Sequence, residues 1–215
     1  MSIRKEVADI RVDYLQGSLE EAEVAKHPIK QFEAWFEAAV SSQVHEPNAM
    51  SLATVHQGRP SVRIVLLKGF SDEGFVFYTN YESKKAQEMA QNDQVALTFF
   101  WPELERQIRI EGKVAKVSEA ESDAYYQSRG RGSRIGAWAS PQSQVIEDRN
   151  ILEARVEEFT AKFEGQETFP KPEYWGGYRV EPDYIEFWQG RKSRLHDRIT
   201  YTLTEGAWTI QRIAP

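Results

Sequence analysis

The chain has 215 residues, 40% of them hydrophobic, with a formal net charge of -6 and no cysteine. The missing cysteine excludes disulfides, a thiolate nucleophile and a cysteine-ligated metal, and it permits a cytoplasmic address. A mean hydropathy of -0.60 without a long apolar run excludes a membrane helix, and a pI near 5.4 argues against a general nucleic-acid binder.

The opening residues, Met1-Ser2-Ile3-Arg4-Lys5-Glu6-Val7, lack the apolar stretch of a secretory signal. Residues 1–28 are charged, look helical but weakly amphipathic, and end at His27-Pro28; residues 29–215 are expected to form the main domain. From Ile29 the apolar positions Phe32, Phe36, Ala39 and Val40 recur at helical spacing and predict a helix to about Gln43, before Pro47 breaks the chain. Residues 50–56 and 61–68 read as strands around Gln57-Gly58, and 75–79 as a third after Asp72-Glu73-Gly74. A short helix follows over 83–90 with Ser83 as its N-cap. Strands resume over 95–101 and 107–117, the second alternating Ile108, Ile110, Gly112 and Val114. Ser118-Glu119-Ala120-Glu121 opens a helix towards Gln127. The strongest helix spans 147–163, with Ile151, Leu152, Val156, Phe159 and Phe163 on one face. An aromatic, proline-rich loop over 169–177 leads to strands 178–180 and 184–189, and the last strands, 198–204 and 208–213, meet at Glu205-Gly206. Short antiparallel strands with tight turns, and helices inserted between groups of them, predict a mainly β, α+β fold: a closed barrel with peripheral helices.

Positive charge is clustered although the chain is acidic, which suits small anionic ligands better than a polyanion. In Arg194-Leu195-His196-Asp197-Arg198, two arginines that can clamp an anion or a π-system flank a histidine that can move or orient a proton, and Trp188 lies six residues before the first of them. The plain alternative is a solvated hairpin end. Phe77-Tyr78-Thr79-Asn80 followed by Ser83-Lys84-Lys85 brings hydroxyls at a strand end to cations at a helix start, a recipe for phosphate or simply a capped surface helix. Arg63 and Lys68 bracket one strand and point to opposite faces if it is regular. Gln107 heads another strand, where its amide can bond a polar ring edge. Gly130-Arg131-Gly132-Ser133-Arg134-Ile135-Gly136 has glycine spacing close to a dinucleotide fingerprint, but a helix rather than a strand precedes it. A phosphate-holding loop of N–H groups and arginines, or an ordinary flexible basic loop, fits that context better. The four histidines show no paired metal-ligand spacing, and no G-x-S-x-G elbow is present.

Eight ordered motifs together carry a resemblance. They are Arg63-Ile-Val-Leu-Leu-Lys68, Phe77-Tyr-Thr-Asn80, Ser83-Lys84-Lys85-Ala86, Leu104-Glu-Arg-Gln107, Ile135-Gly-Ala-Trp138, Phe187-Trp-Gln-Gly190, Arg194-Leu-His-Asp-Arg198 and Arg212-Ile-Ala-Pro215. From about Ile10 to Pro215 the chain resembles the pyridoxine/pyridoxamine 5'-phosphate oxidases, flavin enzymes that make pyridoxal 5'-phosphate. Two positions depart from the family pattern: Lys84 stands where an arginine is usual and Glu46 where an aspartate is expected. Both keep the charge type while changing local geometry.

The resemblance implies an FMN-binding split β-barrel of antiparallel Greek-key type, working as a cytoplasmic homodimer with FMN at the interface. Flavin contacts are then expected from Arg63, Ile64, Val65, Leu66, Leu67, Lys68, Tyr78, Thr79, Lys84 and Lys85 of one subunit. Gln107, Gln142, Ser143, Trp188 and Arg198 would come from the other. Lys68, Tyr125, Arg129 and Ser133 would hold the substrate phosphate. Arg194, Leu195 and His196 would lie against the pyridine ring, with Arg194 and His196 as the catalytic pair, and Arg11 and Tyr14 would come from an N-terminal segment, 1–28, that closes over the substrate. The implied reaction oxidises pyridoxine 5'-phosphate or pyridoxamine 5'-phosphate by hydride transfer to FMN, with O2 as final acceptor and H2O2 as product. No metal, nucleic acid or membrane partner is expected. A non-catalytic flavin or pyridoxal-phosphate binding module and a nicotinamide-dependent flavin reductase are the rival readings.

Overall fold

The computed structural model describes residues 13–215, which contain nine β-strands and five α-helices. In chain order these are α1 (Pro28–Ser41), β1 (Ala49–His56), β2 (Arg59–Leu66), β3 (Gly69–Ser71), β4 (Gly74–Asn80), α2 (Lys84–Gln91), β5 (Gln94–Trp101), β6 (Arg106–Lys116), α3 (Glu119–Ser128), α4 (Arg131–Ala139), α5 (Asn150–Lys162), β7 (Trp175–Gln189), β8 (Asp197–Thr204) and β9 (Ala207–Arg212). The strands form an antiparallel sheet in the order β2-β1-β5-β6-β7-β4-β3, with β8 paired to β7 and β9 to β8. This is the mainly β, α+β architecture that the strand and turn pattern predicts.

Two of the hairpins follow from their turn residues. Gln57-Gly58 joins β1 to β2 and Glu205-Gly206 joins β8 to β9, and all four residues have positive φ, between 49° and 81°. Two central residues in this region twist a turn to match the flanking strands, which fixes the registers His56↔Arg59 and Thr204↔Ala207.

By compactness the chain divides into two units. One holds the described residues up to Pro47, Thr98–Ile110 and Asp183–Pro215; the other holds Asn48–Leu97 and Glu111–Pro182. In the first, α1 buries Ile29, Phe32, Trp35 and Ala39. Phe32 meets Phe99 at 5.2 Å between ring centroids, Trp35 meets Phe187 at 5.2 Å, and Phe187 meets Tyr201 at 5.5 Å. In the second, Tyr126, Ile135, Ala137, Phe159, Phe163, Phe169 and Trp175 make one aromatic-rich cluster.

Four expectations change. Residues 13–27 carry turns and no helix, because side chains satisfy their backbone donors: the N–H groups of Gln16, Leu19 and Ala25 bond carboxylates of Glu105 and Asp197 and the amide of Gln31. The run 131–139 is helix α4 rather than a loop. Its glycines weaken the helix, but burial of Ile135, Ala137 and Ala139, and the Tyr126 hydroxyl on the Arg134 carbonyl, override that propensity. Helix α5 starts at Asn150 and buries only Phe159 near its C-terminal end, with Phe163 buried just beyond it, whereas Ile151 and Val156 are exposed. Finally, 178–180 and 184–189 are one strand. Pro182, which has no N–H, falls between the ladder to β4 that ends at Val180 and the ladder to β8 that starts at Tyr184. Gly112 accommodates that stretch, since a Cβ there would run into the Glu181 carbonyl oxygen and Pro182.

Candidate functional site

In the second unit, a cleft of about 510 Å³ opens between the end of β2, β4, the start of α2 and the α3–α4 corner. Ile64, Val65, Leu66 and Lys68 form one wall, Tyr78, Thr79, Lys85 and Gln142 another, and Tyr125, Arg129, Ser133 and Trp175 a third. The alternation of β2 turns Ile64 and Leu66 outward, while Leu67 just beyond it is buried. Lys68 sits past the last residue of β2, so the parity argument that set it opposite Arg63 does not apply to it.

Lys85 is the electrostatic centre of the second wall. Its Nζ donates to Thr79 Oγ1 at 3.0 Å, Ser83 Oγ at 3.2 Å and Gln142 Oε1 at 2.7 Å. Every one of those partners is neutral. Burial, and then the nearby Arg63 charge, push Lys85 down to about 8. Ser83 is the N-cap residue of α2, but its hydroxyl accepts from Lys85 instead of capping the helix. Gln142, expected to come from the opposite subunit, is placed here beside Thr79 and Lys85 of its own chain; Ser143, with φ 71°, turns the backbone away and is exposed.

Arg63 is held behind this wall. Its guanidinium donates to Thr54 Oγ1 at 2.6 Å, the Leu52 carbonyl at 3.0 Å, Ser61 Oγ at 2.8 Å and the buried Glu88 at 3.0 Å. Burial works to raise Glu88, but the Thr54 hydroxyl and the charges of Arg63 and Lys84 outweigh it and hold the carboxyl below the usual range. Lys84 is exposed, 3.7 Å from Glu88.

The third wall is a stack of rings. Tyr78 lies on Tyr125 at 3.9 Å and on Trp175 at 5.6 Å, with interplanar angles of 17° and 12°. Burial pushes Tyr78 up to about 12, so its hydroxyl keeps its proton. The Arg129 guanidinium carbon stands 4.7 Å above the Trp175 ring. Its Nη1 is buried and has no hydrogen-bond partner among the described residues. Ser133 is exposed on the first turn of α4 at the edge of the cleft.

The first unit holds the other expected residues. Trp188 stacks on His196 at 4.6 Å, and Tyr14 meets Trp188 edge-on at 5.7 Å and His196 at 5.8 Å. Gly190 makes room for Tyr14, whose Cγ would lie 2.7 Å from an added Cβ. His196 Nδ1 accepts from the Arg191 backbone N–H at 3.1 Å. Burial, followed by the Arg194 charge, lowers the pKa of His196, so the ring is neutral near pH 7 and carries its proton on Nε2. Arg194 and Leu195 are exposed, and Ser193 and Arg194 both have positive φ, 58° and 61°. Arg198 pairs across the ladder with Trp188 and grips Glu186 with Nε at 2.8 Å and Nη2 at 2.9 Å. Gln107 is half-buried on β6. Arg11 lies outside the described residues.

Sequence reasoning missed three of these residues. Glu186 was hidden inside an apolar strand, though its place on one face with Tyr184 and Trp188 was a usable signal. Trp175 looked like ordinary core in an aromatic loop. Glu88 gave no sign of its pairing with Arg63.

Residues 36–163 match the family model described as pyridoxamine 5'-phosphate oxidase, and residues 175–215 match one described as the pyridoxine 5'-phosphate oxidase C-terminal dimerisation region. The chain is 58% identical over 211 residues to the pyridoxine/pyridoxamine 5'-phosphate oxidase of Paraburkholderia phymatum, covering 97% of this chain and 99% of that one. Among solved structures it is similar to PhzG from Burkholderia lata in complex with tetrahydrophenazine-1-carboxylic acid, with a TM-score of 0.86 and 30% identity over 92% of this chain and 98% of the other. A pyridoxamine 5'-phosphate oxidase-related, FMN-binding protein from Nostoc punctiforme shares the fold at a TM-score of 0.69 and 19% identity, covering 89% of this chain and 100% of that one. With its antiparallel strand order, its ordered motifs and a match spanning nearly its whole length, this chain has the split-barrel fold and belongs to the pyridoxamine 5'-phosphate oxidase family.

Proposed function

We propose that the protein oxidises pyridoxine 5'-phosphate and pyridoxamine 5'-phosphate to pyridoxal 5'-phosphate with FMN as cofactor, and that O2 is reduced to H2O2. The observation that carries this reading is Arg129, which lines a cleft with Lys68, Tyr125 and Ser133 and whose buried Nη1 has no hydrogen-bond partner among the described residues. A buried cationic donor left without a partner is costly unless an anion completes it. A phosphate ester supplies that anion, whereas a phosphate-free ring would leave the donor unsatisfied.

The residues also suit FMN. Lys85 has only neutral oxygens around it and can accept a phosphate, while Ile64 and Leu66 offer apolar edges for a flat ring. Arg63, Lys84, Thr79 and Gln142 would support that binding, and Trp188, Arg198, Gln107 and Ser143 would complete it. FMN supplies the two-electron acceptor that no side chain of this chain can provide.

The remaining work falls to the protein. Arg129, Lys68, Tyr125 and Ser133 anchor the phosphate and so fix where the 4' carbon lies. Arg194 shields and orients the pyridine ring. His196 offers Nε2–H as a hydrogen-bond donor to the 4' substituent, because its Nδ1 is already taken by the Arg191 N–H. Tyr14, against Trp188 and His196, would cover the ring. A homodimer fits the exposed apolar row of β2, where Val62, Ile64 and Leu66 are 67%, 65% and 36% exposed and a second copy would cover them.

The test is anaerobic mixing of the yellow, FMN-bearing protein with pyridoxamine 5'-phosphate or pyridoxine 5'-phosphate. Flavin absorbance should bleach, then return with H2O2 on admitting air. Protein that binds FMN but bleaches with neither ester, or only with a nicotinamide donor, would refute the proposal.

A further inference from the structure

Arg129 differs in what holds it from the arginines that carboxylates anchor. Arg63 is anchored by Glu88, Arg198 by Glu186 and Arg212 by Glu21 and Asp197. Among the described residues no carboxylate pairs with Arg129; its guanidinium rests instead on the face of Trp175, 4.7 Å from the ring centroid. Trp175 is well placed to be a rigid support. It is buried, it opens β7 opposite Asn80, and its backbone N–H donates to the Pro172 carbonyl while its own carbonyl accepts from Lys171 Nζ at 3.2 Å. Its ring is further fixed by parallel contacts with Tyr78 and Tyr125 and an edge contact with Tyr126 at 5.4 Å.

A carboxylate could hold Arg129 equally still, but it would cancel the charge. An aromatic face attracts a guanidinium while leaving the charge and its N–H groups available to an incoming anion. We propose that Trp175 is a positioning residue that sets phosphate-ester affinity by pinning the uncompensated Arg129 guanidinium over its ring. The inference rests on the oxidase reading given above, and it adds a determinant that does not itself touch the phosphate.

The experiment compares Trp175→Leu and Trp175→Phe with the parent as FMN-loaded proteins, reading kcat, KM for pyridoxine 5'-phosphate, and the inhibition constant of inorganic phosphate. With Trp175→Leu, KM and the phosphate inhibition constant should rise together by about tenfold, as loss of a partly desolvated cation–π contact requires. The kcat should stay within about twofold, and Trp175→Phe should recover most of the loss. A merely structural role would lower kcat or FMN content without moving the phosphate constant, and that pattern overturns the proposal. If the leucine variant fails to fold, Trp175→Phe carries the test, because phenylalanine is a weaker cation–π face: a rise of about two- to threefold in both constants supports the proposal, and no rise overturns it. A parent protein that neither turns over the ester nor is inhibited by phosphate would sink the oxidase reading itself, a result distinct from a competent parent whose variants are unchanged.

Discussion

Replacing Glu186 with glutamine tests whether the Trp188–Arg198 face is held by one buried carboxylate. Glu186 is 1% exposed and accepts from Arg198 through both Nε and Nη2, from Arg109 Nη1 at 3.1 Å, and from the Tyr184 hydroxyl at 3.3 Å. Glutamine keeps the volume, so packing is not disturbed. It loses the charge and one of the two acceptor oxygens, so two guanidinium groups face a neutral amide. Breaking a fully buried pair costs about 3 to 5 kcal/mol. Arg198 and Arg109 are 24% and 41% exposed and keep some water, which lowers the expected loss to about 2 to 3 kcal/mol. For a chain of this size that is a fall in Tm of about 4 to 12 °C, read in a thermal scan of the holoenzyme. Loosening Arg198 should also raise the FMN dissociation constant by about tenfold, the scale of a lost charge-assisted hydrogen bond. A Tm within about 1 °C of the parent, with FMN affinity unchanged, would show that Glu186 neither stabilises this face nor orients Arg198.

Arg194→Ala should lower kcat by about 10- to 100-fold while FMN stays bound, since it removes an exposed side chain assigned to orienting the substrate; turnover at the parent rate would refute that role. Lys85, lowered to about 8 from its ordinary 10.5, gives a pH signature. Below pH 8 the buried ammonium is charged and holds an anion. As pH rises through about 8 the folded protein sheds that proton before the unfolded chain does, so phosphate and FMN affinity should fall while the cofactor-free protein gains stability towards pH 10.5. Titration of FMN binding from pH 7 to 9.5 checks this, and Lys85→Met should flatten the dependence. Gly112→Ala, with its Cβ driven into the Glu181 carbonyl and Pro182, should destabilise the protein by about 2 to 3 kcal/mol in urea unfolding.

Strand content was legible because it rests on local signals. The positive-φ turns at Gln57-Gly58 and Glu205-Gly206 need only two residues to announce themselves, and the alternation of Ile108 and Ile110 requires only one buried face. Helix α4 was not legible: Gly132 and Gly136 argue against a helix locally, and the burial of Ile135 against distant Phe169 and Trp175 is decided elsewhere in the chain. The span of β7 across Pro182 was hidden for the same reason, since nothing in the sequence says that two different partner strands change over at that residue. At the site, residue types were readable but their state was not. Residue spacing named His196, yet only the Arg191 N–H on Nδ1 makes Nε2 the donating nitrogen.

The same limit governs the basic clusters. Arg129, Arg131 and Arg134 share one run of sequence and look equally suited to an anion. Arg131 is bound to the carbonyls of Phe163 and Gln166, and Arg134 to the Glu167 carbonyl and the Gln127 amide, so both serve to fasten α4 to neighbouring segments. Arg134 also rests on a ring, Phe169 at 4.8 Å, and has a buried Nε without a partner among the described residues, but of the three only Arg129 lines the cleft, held by the Trp175 ring. Lys85 is comparable, held by neutral oxygens that position it without neutralising it. Charge density in the sequence therefore does not separate these cations, whereas their partners and their place relative to the cleft do. A cation paired with a carboxylate has its charge offset, whereas one fixed by a π-face or by neutral oxygens keeps its field, and Arg129 and Lys85 are the ones whose field falls in the cleft. Substituting Arg131 should accordingly change stability, and substituting Arg129 should change phosphate-ester KM.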